Sequence, residues 1–171
     1  MPTYRFKDQY GFPAGSPAGV VLKRTVNVPD LIDHGGLTDT AGADASLAST
    51  GFAAADILQV FLVPVGFLLY TAGLFVKTVE DSTLTLDLGI ITAAQNHLAS
   101  GAATNVMNTI NGQTAGGQTQ LVGDTLGGTA YMSTLFVTNG QLSVTFNNAA
   151  DTIIFDIWAV GWDVKPVGSS W

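Results

Sequence analysis

Cysteine is absent from the 171 residues, which excludes disulfide frameworks, thiolate nucleophiles and Cys-held zinc or iron–sulfur sites. Charge is scarce as well, at 11% of residues, and it leans acidic: 6 Lys and Arg stand against 13 Asp and Glu, a formal charge of −7. Such a surface repels phosphate backbones and anionic headgroups, so neither direct nucleic-acid binding nor membrane attachment is expected. Glutamate is nearly missing. Every acid except Glu80 is Asp, a residue of turns and loop ends rather than helix interiors. The opening MPTYRFKDQY is charged and no apolar run follows it, so a secretory leader is not expected, and no N-x-[ST] sequon occurs.

Hydrophobic residues make up 47% of the chain and its mean hydropathy is +0.35, far from the polar composition that stays disordered. A chain of this length suits one domain that buries roughly 70% of its unfolded surface. With so few charges, much of the surface falls to Gly, Ala, Ser, Thr, Asn and Gln, a composition suited to an assembled particle. One segment is long and uncharged enough to suggest a membrane helix, residues 57–76. Pro64 and Gly66 break it near its centre, and Val and Phe replace strong helix formers, so it reads as two strands, 57–63 and 67–79, joined by a turn at 64–66.

Strand patterns recur elsewhere. Residues 20–28 are a β-branched run closed by Pro29, and 83–88 (TLTLDL) alternate strictly. Residues 131–146 place Asn139-Gly140 between alternating apolar residues, the pattern of a type I′ hairpin. Residues 152–164 are apolar on both faces, as a central strand is. Long loops are expected at 30–55, with a turn of helix near 43–47, and at 89–117, with another near 92–98. The fold class expected is all-β: an antiparallel β-sandwich or jelly roll.

Ahead of that sandwich, residues 1–19 mix Pro and Gly with Tyr4, Phe6, Tyr10 and Phe12. They read as an extended N-terminal arm before a single domain over 20–171. Aromatic anchors dominate interfaces, and Arg5 and Lys7 add two of the few cations, so Tyr4, Arg5, Phe6, Lys7, Tyr10 and Phe12 are expected to touch a partner or neighbour, together with terminal Trp171. Trp158 and Trp162 read as core residues of their strand, with a sugar-stacking platform as the alternative.

Catalytic and metal motifs are weak. His34 and His97 are the only imidazoles, and HExxH is absent; His34 in a Gly-flanked loop reads as a solvated turn residue. Asp39 with Asp44, and Asp81 with Asp87, do not match a calcium loop, and isolated turn Asp residues usually bond their own backbone. The glycine pairs 116–117 and 127–128 fit neither a P-loop nor a dinucleotide fingerprint, and Gly15-Ser16 lacks the spacing of a nucleophile elbow. No enzyme activity, cofactor or metal is expected.

Several segments together resemble a known family. The Tyr- and Pro-containing arm, ADILQVFLVPVG at 55–66, DLG at 87–89, and NAAD at 148–151 leading to WAV at 158–160 are similar to the small capsid decoration, or cement, proteins of tailed bacteriophages. That resemblance implies a β-sandwich or jelly-roll knob on the outside of the virion, a homo-oligomer of trimeric type. The major capsid protein would be its partner, and its role would be to clamp neighbouring capsid subunits. A carbohydrate-binding jelly-roll module, or another phage tail or fibre protein, is the alternative.

Overall fold

In the computed structural model the described residues are 2–11, 19–39, 41–63, 67–92, 106–120, 134–135 and 140–163. They form an all-β sandwich with one short helix. The strands are β1 (Thr3–Gly11), β2 (Val20–Asn27), β3 (Leu37–Thr38), β4 (Asp44–Ala45), β5 (Ile57–Val63) and β6 (Phe67–Thr78) in the first half. The second half supplies β7 (Thr85–Thr92), β8 (Met107–Asn111), β9 (Gly116–Gln120), β10 (Thr134–Leu135), β11 (Gly140–Phe146) and β12 (Ile154–Asp163). One sheet has the order β4-β3-β1-β5-β11-β7-β8; the other runs β10-β6-β12-β2, with β9 also on β6.

The core lies between the sheets, because each strand directs alternate apolar residues inward. Leu58, Val144 and Leu88 are register partners across β5, β11 and β7. Opposite them, Val26, Phe155 and Val76 line up across β2, β12 and β6, and all six are fully buried in one cluster. A bulge at Val60 shifts the β5 register against β11, so Val60, Phe61 and Val63 all reach the core while Leu62 is exposed. Aromatic rings cross the interior: Phe52 stacks on Phe146 at 4.1 Å, Phe146 approaches Phe155 at 6.4 Å, and Tyr4 meets the edge of Phe52 at 5.5 Å.

The two strands expected within the apolar run are β5 and β6, but they enter different sheets, and the turn at 64–66 lies outside the described residues. No helix among the described residues is long and apolar enough to cross a membrane. The expected hairpin at Asn139-Gly140 requires correction. Its first arm contributes β10, which pairs with β6, whereas β11 pairs with β5 and β7 in the other sheet. Long-range partners override the local turn signal there, and Asn139 itself lies outside the described residues.

A second correction concerns the N-terminus. Residues 3–11 are not an arm outside the domain; β1 is an interior strand of the seven-stranded sheet, antiparallel to β3 and parallel to β5. That parallel pair makes the sheet mixed rather than purely antiparallel. The reason is visible in the alternation Tyr4, Phe6 against Thr3, Arg5, Lys7: apolar residues at period two pack inward as they do in any half-buried strand. Residues 12–18, with Phe12, are not described.

The loop over 30–55 is more ordered than its composition suggests. Its start is helix α1 (Val28–His34), capped by Asn27, whose Oδ1 accepts from Asp30 N at 3.2 Å, with Pro29 in the first turn and Gly35 closing it at φ +71°. The turn of helix expected near 43–47 is instead the short strand β4. Leu37, Leu47 and Phe52 from this stretch are buried in the core. The loop expected at 89–117 likewise holds the end of β7, all of β8 and the start of β9. The helical turn near 92–98 falls on residues that are not described beyond Thr92, which ends β7.

Candidate interaction surface

The residues expected at a partner contact have different roles in the fold. Phe6 is 8% exposed and lies beneath the Arg24 guanidinium, 4.0 Å from the ring centroid. Arg24, on β2, is itself buried and reaches across to β1, where its Nη2 donates to Asp8 Oδ1 at 2.9 Å and to the Asp8 carbonyl at 3.1 Å. This is a cation–π and ion-pair strut between the two sheets. Phe6 is therefore a core residue, which corrects its reading as a contact anchor. Tyr4 is half-buried against Phe52, and burial followed by the Asp56 charge raises its pKa. Lys7 bridges to Asp44 on β4 at 2.9 Å with both groups exposed. Arg5 faces the opposite side of the sheet, beside Thr38 and Gln59. Tyr10 pairs with Phe61 in the ladder; Phe12 and Trp171 lie outside the described residues.

Trp158 and Trp162 are not core, which is a further correction. Both are half-buried on the outer face of the five-stranded sheet, because Phe155, Ile157 and Ala159 take the inward parity of β12. The Trp158 indole lies on Gly73 of β6: a Cβ at that position would stand 2.5 to 2.9 Å from its ring atoms. Trp162 covers Gly19 in the same way, at 2.8 Å from Nε1, and meets the Tyr70 ring edge-on at 5.0 Å. Around them Val21 is 67% exposed, Phe75 45% and Tyr70 42%. Exposed apolar side chains gathered on one face make it the candidate interaction surface. Sequence reasoning missed it because inward and outward parity cannot be assigned when both faces of a strand are apolar.

At the margin of this face, Asp156 is buried and accepts from Thr25 Oγ1 at 2.6 Å, Lys23 at 2.7 Å and Lys77 at 2.6 Å. Burial alone would raise its pKa, but the hydrogen bonds from Lys23, Lys77 and Thr25 outweigh that and hold it at about 2.

Two of the four aspartates considered for metal binding are occupied with the backbone, and Asp44 pairs with Lys7. Asp39 Oδ1 accepts from Ala41 N and Ala43 N at 2.8 and 2.9 Å, the turn role expected of it. Asp87 Oδ1 accepts from Thr109 N at 2.7 Å. Asp81 approaches Glu80 and Asp151 rather than Asp87, with ligand atoms within 4.8 Å of one another. Glu80, the one glutamate, is buried and takes the amides of Thr152 and Ile153 at 3.1 and 3.0 Å, so it anchors the entry to β12. Desolvation raises its pKa. His34 Nδ1 lies 3.0 Å from Asp30 Oδ1 one helical turn away, both exposed; His97 is not described.

No protein-family model and no curated protein matches this sequence. The fold has a solved counterpart. A chain of the structure described as the capsid of Ralstonia phage GP4 superimposes with a TM-score of 0.61, covering 96% of this chain and 99% of that chain at 13% sequence identity. At that identity the likeness establishes a shared fold from end to end.

Proposed function

We propose that this protein is a structural component of a tailed-phage virion, a decoration protein on the outside of the head that clamps neighbouring capsid subunits. The observation that carries the reading is the shared fold with a chain described as phage capsid, which spans nearly the whole of both chains. A fold alone does not specify a function. Here it agrees with a resemblance drawn independently from the segments at 55–66 and 148–160, and with a chain poor in charge. The role asks for no catalytic centre. Its partner is the major capsid protein, and its own assembly is symmetric, of trimeric type. Arg5, Lys7, Tyr10, Phe12 and Trp171 are the proposed shell contacts, since Tyr4 and Phe6 serve this chain's own core.

Sedimentation of particles tests the reading. Purified chain added to undecorated heads is expected to travel with them through a gradient at low and at high salt. A chain that stays at the top of both gradients, with heads intact, would overturn the assignment.

A further inference from the structure

We infer that, within the virion proposed above, the Arg5 guanidinium on the outer face of the seven-stranded sheet seats a carboxylate of the neighbouring capsid subunit; this rests on that reading and supplies one of its contacts. Four of the five described cations reach an acid of this chain: Lys7 meets Asp44, Arg24 meets Asp8, and Lys23 and Lys77 both meet Asp156. Arg5 meets none among the described residues. Acids are not in short supply, at 13 against 6 cations, yet one of them serves two ammoniums while Arg5 goes without.

The position of Arg5 makes that gap costly. It lies half-buried on β1, between Thr38 of β3 and Gln59 of β5, and its Nε is covered with no hydrogen-bond partner. Gln59 and, one strand further, Ser143 are buried, and Gln59 Oε1 is itself unpartnered. Neither neighbour neutralises the guanidinium, and water is kept from part of it. A charge in such a place gains far more from an opposite charge than one in open solvent does. An arginine that served the core would have its acid within the chain, as Arg24 has Asp8.

The chemistry of the group selects the ligand. Its planar fork of N–H donors matches a carboxylate through two parallel hydrogen bonds. A phosphate fits such a fork too, but nucleic acids and anionic headgroups bring rows of negative charge, which a chain of net charge −7 repels. A single Asp or Glu side chain on a protein surface brings one. Arginines paired in this way, where a contact excludes water, are among the residues on which binding energy concentrates.

Two measurements on the native chain, Arg5→Gln and Arg5→Lys are the test: affinity for undecorated heads, and the melt of the free chain. Arg5→Gln removes a charge that has no acid in the free chain, so its melting temperature is expected to equal or exceed the native value. Its affinity for heads is expected to fall roughly tenfold or more. Arg5→Lys keeps the charge and loses the fork, so its affinity is expected to lie between the two.

Heads that bind Arg5→Gln as tightly as the native chain overturn the inference and leave the virion reading standing. A lowered melting temperature in Arg5→Gln gives the guanidinium to this chain's own fold and also overturns it. So does a native oligomer that Arg5→Gln dissociates to 17.7 kDa monomers with no heads present, since the acid would then belong to a second copy. A native chain that never travels with heads removes the virion reading and this partner together.

Discussion

The two sheets present outer faces of opposite character, and in each case burial runs against polarity. On the seven-stranded sheet, Gln59 pairs with Ser143 and Thr145 with Asp87; all four point away from the core and yet are buried. Gln59 Oε1, Thr145 Oγ1 and Arg5 Nε have no hydrogen-bond partner there. On the five-stranded sheet the outward row includes Val21, Phe75 and Tyr70, which stay in solvent. A buried polar atom without a partner costs about 1 to 3 kcal/mol, and an exposed large apolar side chain forgoes about 1.5 to 3 kcal/mol of burial. One face bears the cost of being closed and the other the cost of being open. Neither is what burial alone would select for a sandwich.

The contrast can be broken first at β1, which Arg24 of β2 ties to the other sheet. Phe6→Ala removes a buried ring and the platform for Arg24, and is expected to cost about 3 to 5 kcal/mol in urea unfolding. Deleting residues 1–11 is expected to abolish the cooperative transition, because β1 is interior to the seven-stranded sheet. A truncated chain that melts normally would return this segment to the status of an arm.

On the open face, Gly73→Ala sets a methyl into the Trp158 indole and is expected to cost about 1 to 3 kcal/mol, with Trp emission shifting to the red as the ring lifts. Acid titration probes the margin of the same face. Asp156 is held at about 2 in the folded chain against an ordinary 3.8. Its contribution is therefore complete above pH 4 and lost as pH falls from about 4 through 2. Asp156→Asn should flatten the melting temperature across that window. Asp56 acts with the opposite sign, since burial raises its pKa against the Ala53 amide and the N-terminal charge; its share of stability grows as pH falls.

The closed face gives the next smaller effect. Thr145→Val replaces an unpartnered buried hydroxyl with a methyl and is expected to stabilise the chain by about 1 kcal/mol in thermal melts. A loss of stability would show that the hydroxyl does have a partner. Smallest of all, Val21→Glu on the open face should leave stability within about 0.5 kcal/mol in thermal melts, because Val21 is exposed.

Much of the strand content was legible because period-two alternation and turn residues are local signals. The strands expected at 57–63, 67–79 and 20–28 correspond to β5, β6 and β2 within a residue or two. Helix α1 was missed: the strand reading over 20–28 takes in its first residue and the loop reading over 30–55 its body, although Asn27 and Pro29 supply its cap and first turn. The open face was not legible either. Whether Trp158 or Ile157 points inward depends on a parity that only the partners of β12 settle. Glu80 offered no motif at all, since its ligands are backbone amides 71 to 73 residues away.

Composition and periodicity act residue by residue, and they alone make this chain a strand-rich domain without thiol chemistry and with few charges. Which strands are neighbours was settled by long-range packing. It placed β5 with β6, and β10 with β11, in different sheets, drew Thr3–Gly11 into the middle of one sheet, and turned two tryptophans onto glycines of the other. Those choices rest on contacts between residues far apart in the chain, whose burial free energy outweighs any single turn preference.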